Sequence, residues 1–317
     1  MTNEKIRLPI IAGPTASGKS SLALEVAREL DGEIVSCDSM QIYKRMDIGT
    51  AKPTREEMSE IRHHMIDIVE VHESFSCADY ARLASAAIED IVARGKTPIV
   101  CGGTGLYLDA LLRGGNSAPS IDTSDIRAEL SLRAKNEGVF ALYEELLRVD
   151  PESAAAIHPN NVKRVIRALE IYIASGEKKS ELDKRSKELE SPYDATVIYL
   201  NYLNRDILYR RIDSRVDSMI KDGLVEETRA LMAERVFELN RTASQAIGYK
   251  ELFGFIEGRE SLESAIETLK RATRRYAKRQ VTWFSAKDYI LPLDADSDNG
   301  LKTFEEIVNN AKKLFPI

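Results

Sequence analysis

The stretch Gly13-Pro14-Thr15-Ala16-Ser17-Gly18-Lys19-Ser20 constrains the fold more than any other part of the chain. Its pattern, G-x-x-x-x-G-K-[S/T], works as a turn between a strand and a helix, and the flanks supply both. Pro9-Ile10-Ile11-Ala12 reads as a short buried strand, and Leu22, Ala23, Val26, Ala27 and Leu30 recur at helical spacing until Asp31-Gly32 ends the run. The glycines leave backbone N–H groups free to wrap phosphate oxygens, and the helix N-terminus adds positive potential. Lys19 reaches a terminal phosphate, and the Ser20 hydroxyl can ligate a magnesium ion. All eight residues from Gly13 to Ser20 are therefore expected to bind phosphate. The pattern does not say whose phosphate it is: a kinase, an ATPase, a GTPase and a diphosphate-releasing transferase all use such a loop.

The first 115 residues alternate strand and helix signals, as a parallel α/β sheet does. Glu33-Ile34-Val35-Ser36-Cys37 is a second strand that delivers Asp38 at its carboxyl end. Ser76-Cys77-Ala78-Asp79 has capping-box character and opens a helix with Tyr80, Leu83, Ala84, Ala87, Ile88 and Ile91 on one face. Pro98-Ile99-Val100-Cys101 is a third strand, ending in Gly102-Gly103-Thr104-Gly105. Ligands of open α/β sheets bind outside the carboxyl ends of strands, so Asp38 and Thr104 are expected to look into the crevice that holds Lys19.

Strand signals vanish from about residue 116 to 190, which reads as a helical insertion domain; residues 1–115 and 191–317 form the phosphate-loop core. Within the insertion, Asn160 is placed to cap a helix that turns Val162, Val165, Ile166, Leu169 and Ile173 inward and gathers Lys163, Arg164 and Arg167 outside. Taken alone, that outer face fits simple solvation. Thr196-Val197-Ile198-Tyr199-Leu200 returns to strand, and Arg205 to Met219 reads as a helix with Arg211 and Arg215 one turn apart. A final long helix, from about Ser261 to Phe284, has Ile266, Leu269, Thr273, Tyr276, Gln280 and Phe284 on one stripe. Its opposite face, Lys270 to Arg279, carries six cations among ten residues and no acid. Like charges at that density repel one another unless an anionic partner relieves them.

The chain of 317 residues has a net charge of −6, which argues against indiscriminate coating of nucleic acid but leaves room for a local basic surface. No apolar run approaches the roughly 18 residues of a membrane helix, and no hydrophobic leader precedes the first strand, so the expected compartment is the cytoplasm, away from membranes. Three scattered cysteines (Cys37, Cys77, Cys101) indicate neither a disulfide framework nor a zinc site.

Several segments together resemble the tRNA dimethylallyltransferases, also called tRNA isopentenyltransferases, across most of the chain. They are the phosphate loop; Asp38-Ser39-Met40-Gln41-Ile42-Tyr43; Met46-Asp47-Ile48-Gly49-Thr50-Ala51-Lys52-Pro53; His63-His64-Met65-Ile66-Asp67; Gly102-Gly103-Thr104-Gly105-Leu106-Tyr107; Arg164-Val165-Ile166-Arg167-Ala168-Leu169-Glu170; Arg215-Val216-Asp217; Gln245-Ala246-Ile247-Gly248-Tyr249-Lys250-Glu251; and Tyr276-Ala277-Lys278-Arg279-Gln280-Val281-Thr282-Trp283-Phe284. Ser20 stands where threonine is frequent. The zinc-finger extension of some eukaryotic members has no counterpart, which fits a bacterial-type enzyme.

The resemblance implies transfer of a dimethylallyl group from dimethylallyl diphosphate to N6 of adenosine 37 of tRNA, with release of diphosphate and a grip on the anticodon stem-loop; the expected state is a monomer. Lys19, Arg215 and a Ser20-bound Mg2+ would stabilise the leaving diphosphate. Asp38 would accept the amine proton as general base, or serve as an outer magnesium ligand; both roles stay open at this point. By the same resemblance Asp38, Ser39, Met40, Gln41 and Thr104 line the nucleotide channel, and Arg127, Lys163, Arg164, Val165, Ile166 and Arg167 contact the stem and loop. Gln245, Ala246, Ile247, Gly248, Tyr249 and Lys250, with Arg274, Lys278, Arg279, Gln280 and Trp283, complete the RNA-facing surface, where the target base must be extruded from its stack. Whether ATP also occupies the loop is open.

Three rivals share parts of this pattern. A small-molecule kinase would want an acid at the end of the strand Pro98 to Cys101, where glycines stand. An adenylate isopentenyltransferase would have no use for the basic helix or the insertion. An RNA-binding switch would sense a nucleotide without chemistry.

Overall fold

The computed structural model describes residues 5–113, 123–188, 190–297 and 300–315. The start expected for the insertion, residue 116, lies outside them. The chain divides into two compact units, one formed by residues 1–112 and 192–317 and the other by residues 113–191.

The larger unit is built on an all-parallel six-stranded sheet. Its strands are β1 (Ile6–Ala12), β2 (Gly32–Cys37), β3 (His63–His64), β4 (Thr97–Gly102), β5 (Tyr193–Asn201) and β6 (Ile290–Asp294), arranged in the order β3-β2-β4-β1-β5-β6. Strand alternation sends neighbours to opposite faces, and both faces are covered. Ile11 packs with Leu22, Ala23 and Val26 of the helix Lys19–Glu29 and with Ile307 and Val308 of the helix Phe304–Leu314. Leu8 and Ile10 pack on the other side with Tyr80, Ile88 and Ile91 of the helix Cys77–Ala93, whose capping box at Ser76 and Asp79 forms as expected. A separate apolar cluster joins Ile42, Tyr43, Val216, Tyr249, Leu252 and Leu269.

Three elements of this unit add to those expected from the sequence. β3 has only two residues, and β6 contains Pro292, which a sheet tolerates at its edge. The helix Phe304–Leu314, opened by a Thr303–Glu306 capping box, follows β6 and closes the first face.

The smaller unit is helical, with Leu130, Leu142, Leu146, Val165 and Leu169 at its centre. Its helix Val162–Ser175 is capped by Asn161, whose Oδ1 accepts from the Arg164 N–H, and not by Asn160, because the chain turns helical one residue later than the pattern suggested. Ile173 is 48% exposed, off the buried stripe, and Gly176 ends the helix in the left-handed region.

Candidate active site

Register decides what meets at the carboxyl end of the sheet. Ala12 of β1, Cys37 of β2 and Gly102 of β4 lie abreast, so the loops leaving these strands, residues 13–18, Asp38 and Gly103-Thr104, start side by side. Gly18 sits at φ 93°, a left-handed conformation that favours glycine, and the helix Lys19–Glu29 begins directly after it. The loop is held through its carbonyls: Arg211 Nε donates to Ala16 (2.9 Å), the Tyr202 hydroxyl to Ser17 (2.8 Å), and the loop's own Lys19 Nζ to Pro14 (3.3 Å). The first amides of the helix remain as the donors that every helix N-terminus offers an anion.

One cleft collects Thr15, Lys19, Ser20, Asp38, Arg215 and Tyr276, and is lined further by the apolar Ala23, Leu24, Ile34 and Ile66 and by the polar Ser36, Glu57 and His63. A neighbouring opening shares Thr15, Asp38, Arg215 and Tyr276 and is lined further by Gln245, Ile247, Lys250, Arg275 and Arg279. The expected catalytic trio of Asp38, Lys19 and Arg215 is thus brought together, 196 positions apart at its widest in the chain. Asp38 is fixed by its own turn, Oδ1 accepting from the amides of Met40 (2.8 Å) and Gln41 (3.4 Å). Thr104 closes the same corner, its hydroxyl accepting from the Ser39 N–H at 3.1 Å.

Electrostatics sharpen the cleft. Desolvation lowers the pKa of Lys19, with Arg215 pushing the same way and Cys101 and Asp38 opposing. Arg215 is lowered too, again by desolvation, with Asp38 opposing. Two partly dehydrated cations facing one carboxylate favour an added anion. Burial raises the Tyr276 hydroxyl and pushes the thiols of Cys37 and Cys101 up to about 12 and about 11, so neither cysteine is a nucleophile near neutral pH.

The residues expected to face RNA separate into different surroundings. Ser39, Met40, Gln245, Ile247 and Lys250 line the second opening. The Gln41 amide is already engaged, accepting from Ser36 Oγ and donating to the carbonyls of Thr50 and Ala51, so its side chain holds a loop and has no free edge for reading a base. Tyr249 is fully buried, its hydroxyl donating to Glu227, and Ala246 and Gly248, though largely buried, still border the second opening. Trp283 packs against Gly105 beneath the Lys287 ammonium, and Gln280 is 7% exposed. In the smaller unit Val165 and Ile166 belong to the core, and Lys163 and Arg164 are exposed. Arg127 and Arg167 both pair with the buried carboxylate of Glu170, at 2.6 and 2.5 Å.

The six cations of the helix Leu262–Ser285 are not equivalent. Arg274 pairs with Asp213 and Lys270 with Asp217, both acids on the helix Arg205–Lys221, spaced four apart to match the spacing of the cations. Intramolecular carboxylates thus relieve two of the six charges without an outside anion. Arg271, Arg275, Lys278 and Arg279 stay exposed.

Three contributors have little or no local signal. Tyr276 sits on the apolar stripe, where a core role is the natural reading. Arg211 is one of many surface arginines. Glu227 accepts the consecutive amides of Asp47, Ile48 and Gly49 (3.1, 2.8 and 3.0 Å), and so holds the loop that supplies Thr50 to the cleft.

A parallel sheet with a phosphate-type loop at the carboxyl end of an inner strand, and cations and an acid gathered beside it, defines an α/β protein of the phosphate-loop class. The chain belongs to the IPP transferase family, whose family model matches residues 41–287. It is 49% identical over 306 residues to a tRNA dimethylallyltransferase of Caldanaerobacter subterraneus subsp. tengcongensis, covering 96% of each chain. The crystal structure of a tRNA delta(2)-isopentenylpyrophosphate transferase from Staphylococcus epidermidis matches at 42% identity and a TM-score of 0.69, with 98% of each chain covered. A eukaryotic dimethylallyltransferase acting on tRNA matches at 33% identity and a TM-score of 0.77, with 92% of this chain and 74% of that one covered. Among the described residues no helix is long and apolar enough to cross a membrane.

Proposed function

We propose that this chain transfers the dimethylallyl group of dimethylallyl diphosphate to N6 of adenosine 37 in tRNA anticodon stem-loops, as a monomer in the cytoplasm. The observation that carries this reading is the cleft itself: Thr15, Lys19 and Ser20 of the loop, two desolvated cations and one fixed carboxylate share one lining with the apolar side chains of Ala23, Leu24, Ile34 and Ile66. A diphosphate ester of a short branched alkene has those two halves. The names of the relatives point the same way.

The reaction follows from the charges. The N6 amine attacks C1 of the allylic chain, the C1–O bond breaks, and the electron pair leaves with the diphosphate. Lys19, Arg215 and the amides at the start of the helix take up the charge that develops there. The proton shed by N6 goes to Asp38 through its second oxygen, Oδ2, since Oδ1 is occupied by backbone amides. The exposed Ser20 hydroxyl, in the same cleft as Asp38, fits Mg2+, a cation that takes few protein oxygens and completes its shell with phosphates and water. Bound there, it would supply further positive charge to the leaving group. Arg271, Arg275, Lys278 and Arg279, with Lys163 and Arg164, would grip phosphates of the stem-loop.

Incubation with labelled dimethylallyl diphosphate and stem-loops varied at position 37 tests the reading. Label should enter only the adenosine-37 stem-loop. Incorporation into free adenylate with none into RNA, or transfer of phosphate from ATP instead, would sink it.

A further inference from the structure

Gln280 lies in a segment whose exposed members are cations, yet its side chain points the other way. Its Oε1 accepts the Thr15 N–H of the phosphate loop at 2.9 Å, and its Nε2 donates to the Gly103 carbonyl, at the end of β4, at 3.0 Å. The residue is 7% exposed; its bond to Gly103 is buried and its bond to Thr15 half-buried. We infer that Gln280 is a positioning residue for the phosphate loop and not an RNA contact.

Three observations support this role. First, the site demands an acceptor for one backbone group and a donor for another, side by side on one terminal group. A glutamine amide supplies both without any change of protonation. Second, the surroundings are cut to admit it: a Cβ on Gly103 would lie 2.4 Å from Gln280 Nε2 and 3.0 Å from the Gly13 carbonyl oxygen. Third, the helix alternates its duties over barely two turns. Arg275, Lys278 and Arg279 are exposed, while Tyr276 and Gln280 meet the cleft. One rigid element thus carries the outer cations and sets the distance between two loops at the ends of neighbouring strands β1 and β4.

The inference rests on the reading that this loop holds the donor diphosphate. Calorimetry on the full chain separates the two ideas, using dimethylallyl diphosphate, inorganic diphosphate and an adenosine-37 stem-loop as titrants. Gln280→Met keeps the volume and removes both bonds. It should weaken both diphosphates roughly tenfold and raise the donor KM more than it lowers kcat, with stem-loop affinity held within about twofold. Gly103→Ala, which crowds the amide away, should give the same loss, and the double variant should lose no more than either single one. Gln280→Leu, which also removes both bonds, decides the matter if Gln280→Met does not fold. Unchanged diphosphate affinity in the folded variants, or a loss confined to the stem-loop, overturns the inference. A wild-type chain that binds neither diphosphate removes the reading beneath it, and the inference falls with that reading.

Discussion

At the base of the cleft, Lys19 and Arg215 are partly dehydrated and share one carboxylate, Asp38, whereas on the long helix Arg271, Arg275, Lys278 and Arg279 stand in solvent and Lys270 and Arg274 are neutralised by Asp217 and Asp213. The difference is one of dielectric and of number. In the cleft each charge acts at short range with little screening, so deleting any one is costly. On the helix the charges act through a counterion atmosphere, where each contributes little and the sum depends on salt. The smaller unit shows a third arrangement, in which Arg127 and Arg167 converge on the buried Glu170 and are held in one geometry by it.

The comparison breaks first at Asp38. Asp38→Asn keeps an oxygen for the amides of Met40 and Gln41, so the turn survives while the proton acceptor is lost. The single-turnover rate should fall roughly 10²- to 10⁴-fold with donor affinity near wild type. Rescue by raised magnesium would instead make Asp38 a metal ligand. Next, Lys19→Ala should weaken donor binding and slow transfer together, by roughly 10² in rate; calorimetry showing unchanged donor affinity would refute a diphosphate at this loop.

Glu33 offers a control outside both regions. Arg94 holds its carboxyl down to about 2, with His64 adding to the effect and burial opposing it. A lowered folded value stabilises the protein above the unfolded value near 4.5, and that stabilisation fades as pH falls toward 2. Glu33→Gln should therefore lower the melting temperature at pH 7 and flatten its decline between about pH 4.5 and 2, while leaving donor and stem-loop affinity alone. A parallel decline in mutant and wild type would assign the acid limb to other groups.

The smallest effects lie on the helix, where they are also the most discriminating. Lys278→Gln should weaken stem-loop binding a few-fold and reduce the slope of log affinity against log salt by roughly 0.7 to 0.9. Arg274→Gln should leave that slope unchanged, because Asp213 already compensates the charge. Equal slopes for the two variants would erase the distinction between paired and exposed cations.

Much of the donor end was legible because its determinants are local. The phosphate loop, the strands on either side of it, the Ser76 capping box and the helix opening at Ser261 each announce themselves within a few residues. Partnerships between distant residues were not legible. Nothing near Arg274 in the chain reveals Asp213, and nothing near Asp47 reveals Glu227. The amides of Gln41 and Gln280, which as residue types suit base reading, are spent on backbone groups visible only once the loops are side by side. Tyr276 was placed on the correct helix face, but an apolar stripe does not say that part of it borders a cleft.

Thr15 and Gln280, joined by one hydrogen bond, are 265 residues apart in the chain. Synthesis on the ribosome runs from one to the other, and β1 waits for β5 before it is flanked on both sides. Until about nine-tenths of the polypeptide has emerged, the phosphate loop lacks the residue that braces it, and Arg215 and Tyr276 are added late as well. Such distant contacts form slowly, since the intervening chain loses its freedom before any of them stabilises the fold. A truncated nascent chain, still on the ribosome among abundant tRNA, therefore carries the phosphate-loop motif without a working cleft, and competence arrives only near the end of translation.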